Sequence, residues 1–180
     1  LEFIDGVTLK PALALGSWLA FVGHGQGQAM VMGDLVLTHD EVNPVLSRLL
    51  ASGFTITALH NHLLRSSPAT MYMHIAGHGD PVKLAAALRQ ALSASRTPLA
   101  APQSPSASAA ASRLDLDVAA LNRLMGGEGK TAGGILQYSF PRAERLMDGD
   151  METPPTMGTA TAINFQPTGD GRAAITGDFV

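Results

Sequence analysis

The sequence predicts an α+β protein, an antiparallel β-sheet with short helices packed on one face and a partial internal duplication. Three observations carry this. Short apolar, β-branched runs are bounded by Gly-rich turns. Three short stretches hold helical start and stop signals. Two separated segments repeat one ordered pattern of turns and apolar positions.

In chain order, residues 29–37 read as a strand after the turn Gly23-His24-Gly25-Gln26-Gly27. Residues 45–50 read as a helix with Asn43 as N-cap, Pro44 at the first helical position and Gly53 as the stop. Thr38 and Glu41 also fit a capping box, but that start carries Pro44 into the helix, so Asn43 is preferred. Strands over 54–63 and 70–76 flank a turn through 65–68. Asp80-Pro81 opens a helix that runs to Leu92, striped by Val82, Leu84, Ala85, Leu88 and Leu92. Residues 93–113 are rich in Pro, Ser and Ala and read as an extended or disordered linker. A helix over 118–125 stops at Gly126-Gly127, and strands follow over 135–140, 161–166 and 173–180.

The linker divides the chain into residues 1–92 and 114–180. Gly6 to Pro11, Leu15 to Phe21 and Ala29 to Val36 in the first part match Gly149 to Pro154, Met157 to Phe165 and Ala173 to Val180 in the second, each ending on Gly-Asp-apolar-Val. On this reading residues 1–92 are the later part of one repeat unit and 114–180 the earlier part of the next. The two parts are expected to pack together, within one chain or by exchange between chains as a homo-oligomer, because either alone leaves sheet edges exposed.

Composition excludes several classes. Apolar residues make up 46% of the chain and aromatics 5%, so Leu, Val, Ile, Ala and Met fill the core. A net charge of −3 gives no electrostatic case for nucleic acid, and no apolar segment is long enough for a membrane-spanning helix. With no cysteine there are no disulfides, thiolate metal sites or Cys nucleophiles. The chain opens at Leu1 without a leader pattern, an opening that suits a removed leader.

Chemistry concentrates between residues 58 and 80, which hold four of the six histidines. Residues two apart on a strand share a face, so His60 and His62 point together, joined by Ala58 and Ile56, while Thr70, Tyr72 and His74 share a face of the next strand. Leu59, Leu63, Met71, Met73 and Ile75 are expected on the opposite, core face. Three imidazoles from adjacent strands suit Zn²⁺, Fe²⁺ or Cu²⁺. A solvated polar strand face is the plain alternative. Arg65 and Tyr72 are candidate substrate-binding residues, and Asp34, Glu41 and Asp80 the carboxylates nearest in sequence. His78 reads as a loop residue, His24 as a turn residue and His39 as exposed beside a helix start. The repeated Gly-Asp at Asp34 and Asp178 reads as a tight turn or a side-chain bond to backbone amides. Gly126-Gly127-Glu128-Gly129-Lys130 lacks the spacing of a phosphate loop.

Leu15 to Trp18, Met32 to Leu37, Glu41 to Val45, the His60-Asn61-His62 segment, Met71 to His74, Ala162 to Phe165 and Thr176 to Val180 together resemble the LppY/LpqO-like family, a bacterial group classed as a domain of unknown function. The resemblance spans nearly everything except the linker. It implies a two-unit protein that is exported (periplasmic, cell-surface or secreted) or lipid-anchored, and it implies no established reaction. Two functions stay open: a metal-dependent envelope enzyme with His60, His62 and His74 as ligands, or a non-catalytic binding or scaffold module with structural histidines.

Overall fold

A computed structural model describes residues 2–99 and 114–180. The elements in chain order are β1 (Glu2–Ile4), β2 (Val7–Leu9), β3 (Trp18–Gly23), β4 (Ala29–Thr38), α1 (His39–Ala51), β5 (Thr55–His60), β6 (Thr70–Gly79), α2 (Pro81–Leu92), α3 (Val118–Met125), β7 (Lys130–Ala132), β8 (Ile135–Pro141), β9 (Met147–Asp148), β10 (Met151–Glu152), a 3₁₀ turn (Pro155–Met157), β11 (Ala160–Gly169) and β12 (Arg172–Asp178). Every pairing is antiparallel. The α+β expectation holds.

The first sheet runs β3-β4-β6-β5 and the second β12-β11-β8-β7. Alternation along β4 gives the first sheet two buried faces. Val31, Leu35 and Leu37, with Met73 and Ile75 of β6, pack under Val42, Val45 and Leu49 of α1 and Leu88, Ala91 and Leu92 of α2. On the other face Met30 and Met32 meet Met151 and Met157 from the second part of the chain. The flexible thioethers fill this irregular seam without aromatic bulk. A second tie comes from Gln166, whose carboxamide accepts the Lys10 N–H and donates to the Thr8 carbonyl, both at 2.8 Å.

The segments that repeat in sequence make the same order of pairings: a short hairpin, β1-β2 or β9-β10, and then a long one, β3-β4 or β11-β12. Of the 93–113 segment, residues 93–99 are described. Leu99 packs against the first core, and Arg96 is bound to Glu41 through its N–H at 2.8 Å and its Nε at 3.0 Å. The linker expectation for 100–113 lies outside the described residues.

Four local expectations are corrected. Helix α1 begins at His39, not after Asn43, because Glu41 accepts the Thr38 N–H at 3.0 Å and secures the earlier start, with Pro44 carried inside. Strand β5 stops at His60, so His62 enters from the following loop. A bulge between Ile56 and Ala58 leaves Thr57 unmatched, which turns Ile56 to the core face while Ala58 and His60 keep the other. Leu59 shares the core side with its partner Met73 but lies exposed at the edge, and Leu63 is buried in a different cluster with Leu9, Leu13 and Ile135.

Candidate metal centre

The register of the first sheet builds the centre. On β6, His74 and Tyr72 project from the face opposite the helices. Ala58 and His60 of β5 lie opposite them, and Asp34 of β4 lies directly across from His74 on its other side. His60 and His74 are thus diagonal neighbours, with Nε2 atoms 2.8 Å apart. The loop brings His62 over Tyr72, the two rings stacked with centroids 3.8 Å apart. One ligating atom from each of His60, His62 and His74 lies within 4.8 Å of the others. The sequence-nominated trio converges.

His60, His74 and Asp34 line a cleft of about 770 Å³ between the two sheets, and His62 stands beside them outside that lining. The first part of the chain contributes Trp18, Asp34, His60 and His74, and the second part Gln137, Ser139 and Asp178. Burial lowers the His62 pKa, against an opposing pull from Asp34 and Asp178, and so favours the neutral imidazole that a metal needs. Burial also raises the Asp34 carboxyl, countered by His74 and His62. The His60 Nδ1 faces the Asn61 carbonyl at 3.3 Å, an outer acceptor that leaves Nε2 directed inward.

A family model described as a Domain of Unknown Function (DUF1259) matches residues 2–94 and 119–180. The chain belongs to this family. No curated protein and no solved structure matches it. The matched DUF1259 segments contain Asp34, His60, His62, His74 and Asp178, and therefore both walls of the cleft.

The remaining nominated residues lie as follows. Tyr72 is buried, at 1% exposure, beneath His62 rather than along the cleft lining. Arg65 is exposed, bonds Asp5 through Nη2 at 2.6 Å and is likewise outside that lining. Glu41 serves the start of α1, and Asp80 caps α2 by accepting the Val82 and Lys83 N–H groups. His78 is not in a loop but near the end of β6, 3.2 Å from Asp148. His24 sits in the β3-β4 turn, and His39 is exposed at the first helical position of α1.

Asp34 is the residue that sequence reasoning misjudged. It lies mid-strand in β4, inside the strand expected over 29–37 and not in the tight turn offered for its Gly-Asp pair, 6% exposed, with its carboxylate 3.9 Å from His62 Nε2 and 4.0 Å from His74 Nε2. The alternation of β4 could have flagged it, since a carboxylate amid Met30, Met32 and Val36 has no solvent side.

Proposed function

We propose that this is a metal-dependent enzyme of the bacterial envelope, with His60, His62 and His74 holding a divalent transition metal (Zn, Fe or Cu) that acts on a small polar molecule in the cleft. The observation that carries the reading is the approach of three imidazoles from β5, its following loop and β6 to one another, two of them, His60 and His74, on the lining of an open cleft. A metal in such a place supplies Lewis acidity or an activated water. The protein's share is orientation. Tyr72 stacks on His62 and fixes its ring, the Asn61 carbonyl sets the His60 tautomer, and Gln137 and Ser139 bind substrate from the facing wall, with Trp18 beside it on the first sheet.

The duplication and the export belong to the same proposal. Matching hairpin order supports reading residues 1–92 and 114–180 as parts of two copies, and Asp34 and Asp178, equivalent in the repeat, both line the cleft. The LppY/LpqO-like pattern supports an exported protein. Packing of the two parts within one chain supports a monomer over exchange, which size-exclusion chromatography reads directly.

The test is metal analysis of protein purified without a His-tag. One divalent ion per chain is expected, lost in the His60→Ala/His62→Ala double variant while thermal unfolding stays cooperative. Unchanged metal content in that variant refutes the assignment. A non-catalytic module is the second reading, and an ion that admits no exogenous ligand such as azide would favour it.

A further inference from the structure

Asp34 carries the strongest unexplained chemistry in the chain. It is more than nine-tenths buried, and its Oδ1 finds no hydrogen-bond partner among the described residues. The His62 Nε2 is likewise buried and without a partner there. Leaving a buried polar oxygen without a partner costs about 1–3 kcal/mol, more for a charged group, so a fold that keeps one has something to set against it.

The direction of approach decides what that is. Asp34 faces Nε2 of His62 and Nε2 of His74, while Nε2 of His74 also faces Nε2 of His60. An outer carboxylate that orients a ligating histidine contacts the ring nitrogen turned away from the metal. Here the carboxylate and the inward-facing nitrogens share one space, and an imidazole nitrogen cannot bind a metal and donate a proton at once. The oxygens stand in a ligand's place.

We infer that Asp34 is a fourth protein ligand, completing a three-nitrogen, one-oxygen site for a divalent ion with six-coordinate preference, such as Mn²⁺ or Fe²⁺. This rests on the histidine site proposed above and adds its oxygen ligand and metal class. His60 and His74, with Nε2 atoms 2.8 Å apart, stand close enough to be neighbouring ligands of one ion. Coordination requires the Asp34 oxygens to draw in by about 1 Å toward the histidine nitrogens. Four protein ligands would close a tetrahedral zinc site, whereas a six-coordinate ion keeps two positions for water or substrate on the side of Gln137, Ser139 and Asp178. A hard carboxylate oxygen also favours Mn²⁺ and Fe²⁺ relative to a site of imidazoles alone.

The experiment compares Mn²⁺, Co²⁺ and Zn²⁺ binding, by equilibrium dialysis, in wild type, Asp34→Asn and His60→Ala/His62→Ala. Wild type should bind one Mn²⁺ per chain and give the weak visible absorption of six-coordinate cobalt. Asp34→Asn should lose Mn²⁺ affinity by more than the roughly 10–100-fold typical of an outer partner, lose less for Zn²⁺, and change the cobalt spectrum. Equal losses for all three ions with an unchanged spectrum, or no loss, overturn the inference while the histidine variant still tests the centre itself. If wild type binds none of the ions, or the histidine variant retains them, the histidine reading fails and Asp34 with it. Should Asp34→Asn not fold, infrared difference spectra of wild type decide: adding Mn²⁺ must shift a carboxylate stretch, and no shift overturns the assignment.

Discussion

Replacing Glu41 by Gln should weaken the fold by about 2 kcal/mol at pH 7, a loss that disappears in acid. Glu41 is 8% exposed at the start of α1, where Oε2 accepts the Thr38 N–H at 3.0 Å and Oε1 accepts the Arg96 N–H at 2.8 Å and its Nε at 3.0 Å. A net bond to a charged group contributes about 1.5–3 kcal/mol. The Arg96 side chain is 73% exposed, so its charge adds little, and the two backbone donors dominate. Gln keeps one acceptor oxygen and loses the charge, which leaves about 2 kcal/mol at stake, or roughly 4–8 °C in melting temperature for a chain of this size. Burial raises the Glu41 pKa, but the bonds from Thr38 and Arg96 outweigh it, and the folded value lies below the ordinary 4.5. A depressed carboxyl contributes stability that is fully present above the unfolded value and is lost as pH falls through the folded one. Urea unfolding of both proteins, followed by circular dichroism from pH 7 to pH 3, should show a gap that is constant down to about pH 5 and closes below 4.5. A gap under about 0.5 kcal/mol at pH 7, within the range of ordinary surface changes, or one that persists in acid, refutes the reasoning.

Two further outcomes follow from contacts around the cleft. Gly158 has φ of +80°, and an added Cβ would lie 2.5 Å from Cη2 of Trp18. Gly158→Ala should therefore cost about 1–2 kcal/mol in backbone strain and displace the only tryptophan, visible as a shift in native fluorescence; an unshifted spectrum refutes the contact. Gln166→Ala removes the partners of the Lys10 N–H and the Thr8 carbonyl, and should cost about 1–3 kcal/mol and speed hydrogen exchange at the Lys10 amide; unchanged exchange would show that other contacts join the two parts.

Local periodicity made much of the fold legible. Alternation assigned Met71, Met73 and Ile75 to the core and Tyr72 with His74 to the other face, and the signals at Asp80-Pro81 and Gly126 bracketed two helices. A single extra residue such as Thr57 leaves no mark in a six-residue strand, so Ile56 was placed on the wrong face. Asp34 was misjudged because its meaning depends on a partner forty positions away. A Gly-Asp pair is a common turn signal that competed with the strand read over 29–37, and only the β4-β6 register shows that Asp34 lies opposite His74. His62 reached the centre although the strand expected to carry it ended two residues before it, since stacking on Tyr72 does what strand geometry was expected to do.

The two parts of the chain have separable roles in this centre. His60, His74 and Asp34 come from the first sheet and His62 from the loop after β5, so the proposed metal affinity would depend on the pairing of β4, β5 and β6, on that loop and on the helices behind them. The Met30, Met151 and Met157 cluster packs on the Asp34 face of β4 and so lowers the local polarity around a carboxylate. Gln137, Ser139 and Asp178 come from the second sheet and face the cleft without contributing to the histidine cluster. Changes on β8 and β12 can therefore alter what the cleft admits while the histidine cluster stays fixed. The proposed duplication would suit this division, because one copy could keep the proposed ligands while the other keeps only the wall; Asp178 would then stand where the first copy holds Asp34, with no histidine beside it on its own sheet.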